Sequence, residues 1–95
     1  MHSQEIRAQV IITGKVQGVG FRAWVQKVAR ERSLSGEVQN QSDGTVKAIL
    51  EGDDLMVKEV LDLCKDGPKA ARVDRTDVSF EQFVGEYDGF RITSS

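Results

Sequence analysis

Nine consecutive residues, Gly14-Lys15-Val16-Gln17-Gly18-Val19-Gly20-Phe21-Arg22, place three glycines within a seven-residue stretch and close it with an arginine. Glycine tolerates positive φ and lets the backbone come close to a ligand, so successive N–H groups can turn toward one point. Apolar periodicity becomes helical at Phe21, which puts that point at a helix N-terminus carrying roughly half a positive charge. Such a cradle suits a phosphate. Arg22 sharpens the reading. A cation in a first helical turn opposes the dipole at a cost of about 0.3–1 kcal/mol, unless its side chain turns back to share an anion with the loop amides. A guanidinium gives phosphate oxygens two parallel hydrogen bonds and stays charged throughout the working pH range. The glycine spacing matches neither the Walker loop nor the dinucleotide fingerprint, so no nucleotide is implied.

The elements that must hold this loop follow from the alternation of residue types. Ile6, Ala8, Val10 and Ile12 alternate with Arg7, Gln9, Ile11 and Thr13, which predicts a strand at or near the centre of a sheet with one face on a core. After the loop, Phe21, Val25, Val28 and Ala29, with Trp24 beside them, form a helical stripe opposite Lys27, Arg30, Glu31 and Arg32; the helix is expected to end near Ser33.

Two strand-like runs, 36–41 and 45–51, flank Ser42-Asp43-Gly44. A two-residue Asp-Gly turn would set Val46, Ala48 and Leu50 against Gln41, Gln39 and Glu37, mixing core with surface. A three-residue loop with Gly44 left-handed instead pairs Val46 with Asn40 and Ala48 with Val38 on one face, and this is the register predicted. It puts Asn40 on the apolar side, where a carboxamide needs hydrogen-bond partners.

Asp53 and Asp54 lead into a second helix with a buried stripe of Met56, Val60, Leu63 and Cys64, stopped by Gly67-Pro68. A half-exposed strand follows over 73–82, where Thr76, Val78 and Phe80 alternate with Arg75, Asp77 and Ser79, and a short strand over 90–93 ends the chain. This order predicts an α+β fold: a ferredoxin-like α/β sandwich, βαββαβ plus a short C-terminal strand, with an antiparallel sheet and two helices on one face.

Ninety-five residues, 39% hydrophobic and 29% charged, suit one small domain over 1–95 and argue against disorder or a collagen-like fold. Apolar stretches fall far short of the roughly 20 residues that span a bilayer. The start, Met1-His2-Ser3-Gln4-Glu5, lacks the basic and apolar regions of a secretory signal, so with a single cysteine the expected setting is reducing cytoplasm. Thirteen Lys and Arg against fifteen Asp and Glu give a net charge of −2, so neither nucleic acid nor a membrane is an expected partner and any anion site must be local. The outer face of the first strand offers Arg7, Gln9 and Ile11, not the stacked aromatics of RNA-recognition sheets.

Cys64 reads as a small core residue, with no partner histidine, since His2 lies in an expected frayed terminus. Phe21 and Trp24 read as core. Asp43, Asp53 and Asp54 are explained by turns and caps and lack calcium-loop spacing, so no metal is expected. Lys69, Arg72 and Arg75 read as a solvated face. Lys15 is either an added charge at the site or a solvated loop lysine.

The 14–22 loop resembles the signature of the acylphosphatase family, and Gly36-Glu37-Val38-Gln39-Asn40 followed by Asp43-Gly44-Thr45-Val46 is similar to that family's second segment. The resemblance runs from about Ile6 to Ile92. It implies a metal-independent, cofactor-free hydrolase of the carboxyl-phosphate bond of acyl phosphates, acting as a monomer on a small-molecule substrate. By position, Arg22 and Asn40 are implied as catalytic: Arg22 as the family's phosphate-binding arginine, Asn40 as the residue that orients the attacking water. Gln17, Gly18, Val19, Gly20, Phe21 and Arg22 are implied as the phosphate-binding set. One departure is Glu37, where many members carry a bulky aromatic; the predicted register turns it away from the core. Val19-Gly20-Phe21 also resembles acylphosphatase-like domains of larger carbamoyl-transfer maturation proteins. The competing reading is a module that holds phosphate or a carboxylate without hydrolysing anything.

Overall fold

Period-two alternation sends Ala8, Val10 and Ile12 of strand β1 (Glu5–Lys15) into the core, all with no exposed surface, in a computed structural model that describes residues 4–93. The predicted His2 terminus lies outside the described residues. Helix α1 (Phe21–Arg30) buries Phe21, Val25, Val28 and Ala29, the stripe expected from their spacing. Strands β2 (Ser35–Asn40) and β3 (Val46–Asp53) form the hairpin, and helix α2 (Asp54–Cys64) leads by way of Gly67 and Pro68 to β4 (Arg72–Gln82) and the short β5 (Phe90–Ile92).

The sheet runs β4-β1-β3-β2-β5, so β1 lies inside it, one place from the edge. The first four strands pair antiparallel, as expected. β5 differs: it joins β2 in parallel, with Val38 beside Ile92, and the five-stranded sheet is therefore mixed. Both helices lie on one face, and the core between the layers is built mainly of β-branched and aliphatic side chains.

The hairpin takes the three-residue loop. Gln41 N–H donates to Thr45 O at 2.8 Å, Gly44 has φ 92°, and Asn40 stands opposite Val46. The Asp43 carboxylate accepts from Thr45 Oγ1 at 2.6 Å and Thr45 N–H at 3.0 Å, contacts that hold its carboxyl below the usual range.

Two details differ from the sequence expectation. β1 continues two residues past Thr13 through a bulge against β4, and a Cβ on Gly14 there would sit 2.1 Å from Arg72 O, so only glycine fits. α2 buries Val57, Val60, Leu61 and Cys64 against β1 and β3, with Met56 and Leu63 only flanking the core, and Asp53 caps the helix by accepting the Met56 N–H at 3.1 Å. On β4, Val78 and Phe80 face the helix side yet are 41% and 58% exposed, since this edge strand extends past the helical layer.

The opposite face of the sheet holds a buried charge. Glu51 has no exposed surface, and its Oε2 accepts N–H bonds from Val84 at 2.8 Å and Gly85 at 3.0 Å, with Arg7 Nη1 at 3.5 Å. Arg7 also binds Glu81 and Glu86 and lies 5.5 Å over the Tyr87 ring. Residues 83–89 are thereby strapped across the outer face and delivered to β5. There Gly36 N–H bonds Gly89 O, while Gln26 and Arg30 reach Phe90 O at 3.1 and 3.0 Å.

Burial pushes the Glu51 carboxyl toward its neutral form, but the two N–H donors and Arg7 outweigh this and hold it below the ordinary value. A lowered folded value contributes stability that is full above the unfolded value near ~4.3 and is lost as pH falls through the folded one. Glu51→Gln should therefore cost about 1.5–3 kcal/mol in urea unfolding at neutral pH. The gap between variant and parent should shrink below about pH 4. A gap that stays constant down to the acid transition would refute the ion's role.

Candidate active site

The loop after β1 is anchored at both ends in the core. Val16 and Phe21 are each 1% exposed, and the Phe21 ring meets Trp24 edge-on, with centroids 5.5 Å apart. Between them Gly18 and Gly20 adopt left-handed φ of 72° and 78°. Gly20 is the residue that opens α1; its carbonyl accepts the Trp24 N–H at 3.1 Å, but it has no side chain to cap the helix. No acidic residue occupies the first turn. The contrast with α2, capped by Asp53 and carrying Asp54 in its first turn, is direct. The leading N–H groups of α1 are thus left for an external acceptor, and the dipole favours a negative one.

Those groups border a cavity of about 200 Å³ lined by Val16, Gly18, Gly20, Phe21, Arg22, Ala23, Asn40 and Ile92. Arg22 and Asn40, which are 18 residues apart in the chain, share it. Arg22 enters none of the ion pairs among the described residues, whereas Arg7, Arg32, Arg72 and Arg75 are each taken by carboxylates. Asn40 reaches the cavity from the end of β2, and its Oδ1 is buried without a hydrogen-bond partner. A free guanidinium and an unpartnered amide oxygen therefore border the same space. No group of three His, Cys, Asp or Glu side chains among the described residues could hold a metal ion. Cys64 is buried far from this loop in sequence, and desolvation pushes its thiol up to about 12, which suits a core residue and not a nucleophile.

Of the six residues expected to bind phosphate, Gly18, Gly20, Phe21 and Arg22 line the cavity, and Gln17 and Val19 do not. The Gln17 carboxamide donates to Gln41 O at 2.8 Å and Thr45 O at 2.9 Å, so it ties the loop to the hairpin that carries Asn40. Val19 packs against the core. Their side chains serve the shape of the loop. Val16, Ala23 and Ile92 are lining residues that sequence reasoning did not single out. Ala23 could have been found as the next residue in the exposed first turn of α1; Ile92 is placed only by the parallel pairing of β5 with β2, which leaves no local signal. Lys15 is exposed and is not among the lining residues.

Comparison with known proteins agrees in extent with this geometry. The family model described as Acylphosphatase matches residues 8–92. The chain is 46% identical over 86 residues to an acylphosphatase of Roseiflexus sp. (strain RS-1), covering 90% of this chain and 92% of that protein. The crystal structure of acylphosphatase from Bacillus subtilis superposes with a TM-score of 0.89 at 32% identity, covering 93% of this chain and 98% of that one. A crystal structure of full-length HypF in a phosphate- and nucleotide-bound form contains a region with a TM-score of 0.88 at 32% identity; the match spans 99% of this chain and 12% of that one.

The two Gln17 bonds set a measurable term. Both acceptor carbonyls keep a backbone donor when the amide is lost, from Gly44 and Gln41 respectively. Gln17→Ala should therefore destabilise the fold by about 1–2 kcal/mol, two ordinary hydrogen bonds, and not by the larger penalty of orphaned buried groups. Urea unfolding of the variant checks this; an unchanged midpoint would mean the brace carries no load.

Proposed function

The chain belongs to the acylphosphatase family, and from that premise we propose that Arg22 and Asn40, with the backbone N–H groups of the loop and of the first turn of α1, carry out its reaction. The reaction itself is hydrolysis of the carboxyl-phosphate bond of an acyl phosphate to a carboxylate and inorganic phosphate. The assignment of roles is carried by one observation: an unpaired guanidinium, an uncapped helix N-terminus and an unpartnered buried amide oxygen border a single cavity.

In this mechanism the three phosphoryl oxygens are received by Arg22 and by the amides at Gly18 and Gly20 and in the α1 first turn. These donors are fixed before the substrate arrives, so they stabilise charge shifting in the transition state without reorganising. Asn40 Oδ1 accepts a hydrogen bond from a water and aims its lone pair at phosphorus, in line with the bond to the acyl oxygen. As the new P–O bond forms, the old one breaks and its electron pair leaves with the carboxylate. The water's proton passes to a phosphoryl oxygen, which becomes part of the product phosphate. The cavity lining includes no carboxylate or imidazole to act as base. None is needed, since a carboxylate leaves readily and phosphoryl transfer depends mainly on position and charge.

Action as a monomer and as one domain across 1–95 belongs to this proposal. For location, no described helix is long and apolar enough to cross a membrane; the cytoplasmic setting is part of the proposal.

Arg22→Gln and Asn40→Ala should each lower kcat/KM for benzoyl phosphate by about 100- to 1000-fold, equivalent to losing about 2.7–4 kcal/mol of transition-state stabilisation. Chelator should leave the parent rate unchanged, and inorganic phosphate should inhibit competitively. Near-normal turnover in both variants would overturn the assignment and favour a module that only holds the anion.

A further inference from the structure

The phosphate half of the substrate accounts for only part of the cavity. Arg22, Asn40 and the glycine backbone face the phosphoryl group and the water, and Val16 and Phe21 are almost wholly covered by the protein. Two lining side chains keep open surface: Ala23, exposed in the first turn of α1, and Ile92, 40% exposed at the end of β5. The position of Ile92 follows from the strand. Phe90 and Ile92 share the face toward the helices, and Phe90 is 1% exposed beneath α1, whose Gln26 and Arg30 bind its carbonyl. Two residues later the strand lies beside Val38, at the Asn40 end of β2, and Ile92 borders the cavity next to the first turn of α1.

We propose that Ile92 and Ala23 form a subsite for the acyl half of the substrate, one that favours an uncharged, apolar acyl group over a small or anionic one. This rests on the placement of phosphate at Arg22 described above. The acyl half must lie against whatever lining the phosphoryl group and the water leave uncovered, and the side chains with open surface there are apolar. Arg22 is the one cationic side chain in the lining, and it is occupied by the phosphoryl oxygens. A second anionic group on the acyl half finds no partner there, while an aromatic or aliphatic group removes water from the Ile92 side chain. Because the shelf is half open, discrimination is smaller than an enclosed pocket would give.

The test compares kcat/KM for benzoyl, acetyl and succinyl phosphate in the parent, Ile92→Ser and Ile92→Lys. Ile92→Ser should lower the benzoyl-to-acetyl ratio by about fivefold, with inhibition by inorganic phosphate, which has no acyl half, changed by less than about twofold. Ile92→Lys should raise the succinyl-to-benzoyl ratio by about tenfold, since it removes the apolar contact with the benzoyl ring and adds a modest, partly solvated attraction for the distal carboxylate of succinyl. The Lys change sits on an exposed position, so it carries the test if the Ser variant does not fold. Ratios unchanged in folded variants would overturn the subsite. Arg22→Gln retaining normal acetyl phosphate turnover would instead overturn the phosphate placement, so the two failures are distinguishable.

Discussion

A helix that begins without a cap is the condition on which the site depends. α1 opens at a left-handed Gly20 that offers no side-chain oxygen, and its first turn contains a cation and no acid. A serine or aspartate at such a position would ordinarily stabilise a helix by about 1 kcal/mol. The same chain uses that device in α2, where Asp53 accepts the Met56 N–H. The difference between the two helices is thus chemical and not a general habit of this sequence. Local rules that fail in one place and hold in another mark a functional site, because the open donors and the opposed Arg22 are both relieved by the same anion.

Keeping those donors aimed at one place is a packing problem. Val16 and Phe21 sink the two ends of the loop into the core, and Gly14 lets β1 pass so close to Arg72 O that no Cβ fits. Gln17 then spans from the loop to both carbonyls that flank the hairpin turn. Asn40 depends on a separate determinant. The left-handed Gly44 and the Asp43–Thr45 contacts shape the three-residue turn, and the register that follows sets Asn40 opposite Val46. A slip of one residue would send its carboxamide to the other face of the sheet. Gln17 joins these two otherwise independent pieces of local structure, which is why it can matter to the site without lining the cavity.

Much of this was legible beforehand because it is encoded by short-range alternation. The inward face of β1, the helical start at Phe21 and the three-residue hairpin follow from where apolar side chains fall, and the two-residue register is excluded because it mixes core with surface. The features that escaped are long-range. A glutamate in a strand reads as solvent-facing, and only the passage of residues 83–89 over the sheet reveals Glu51 as a buried anchor. The parallel docking of β5 joins segments 54 residues apart at Val38 and Ile92, so no local pattern could place Ile92 at the cavity. In α2 two apolar stripes share Val60 and Cys64, and the choice between them lies in how the helix docks on β1 and β3, a long-range contact that the local pattern does not encode.

Screening and local ion pairing explain how an acidic protein can present an anion site. The net charge of −2 would disfavour a dianionic substrate if charge acted from everywhere at once. Screening limits its reach to about 8 Å at physiological ionic strength, so distant surface carboxylates contribute little at the cavity. Several acids are moreover already taken: Glu81 and Glu86 by Arg7, Glu59 by Arg32, and Asp74 and Asp77 by Arg72 and Arg75. Arg22 stands outside all of these pairs. The arrangement thus separates two uses of arginine. Arg7, Arg32, Arg72 and Arg75 are neutralised by neighbouring carboxylates and Arg30 is engaged by the Phe90 carbonyl, whereas Arg22, at the uncapped helix, keeps its charge for a ligand. Adding a carboxylate within reach of Arg22 would close the site by the same chemistry that opens it, which makes the absence of acid from the first turn of α1 as necessary to the function as the arginine itself.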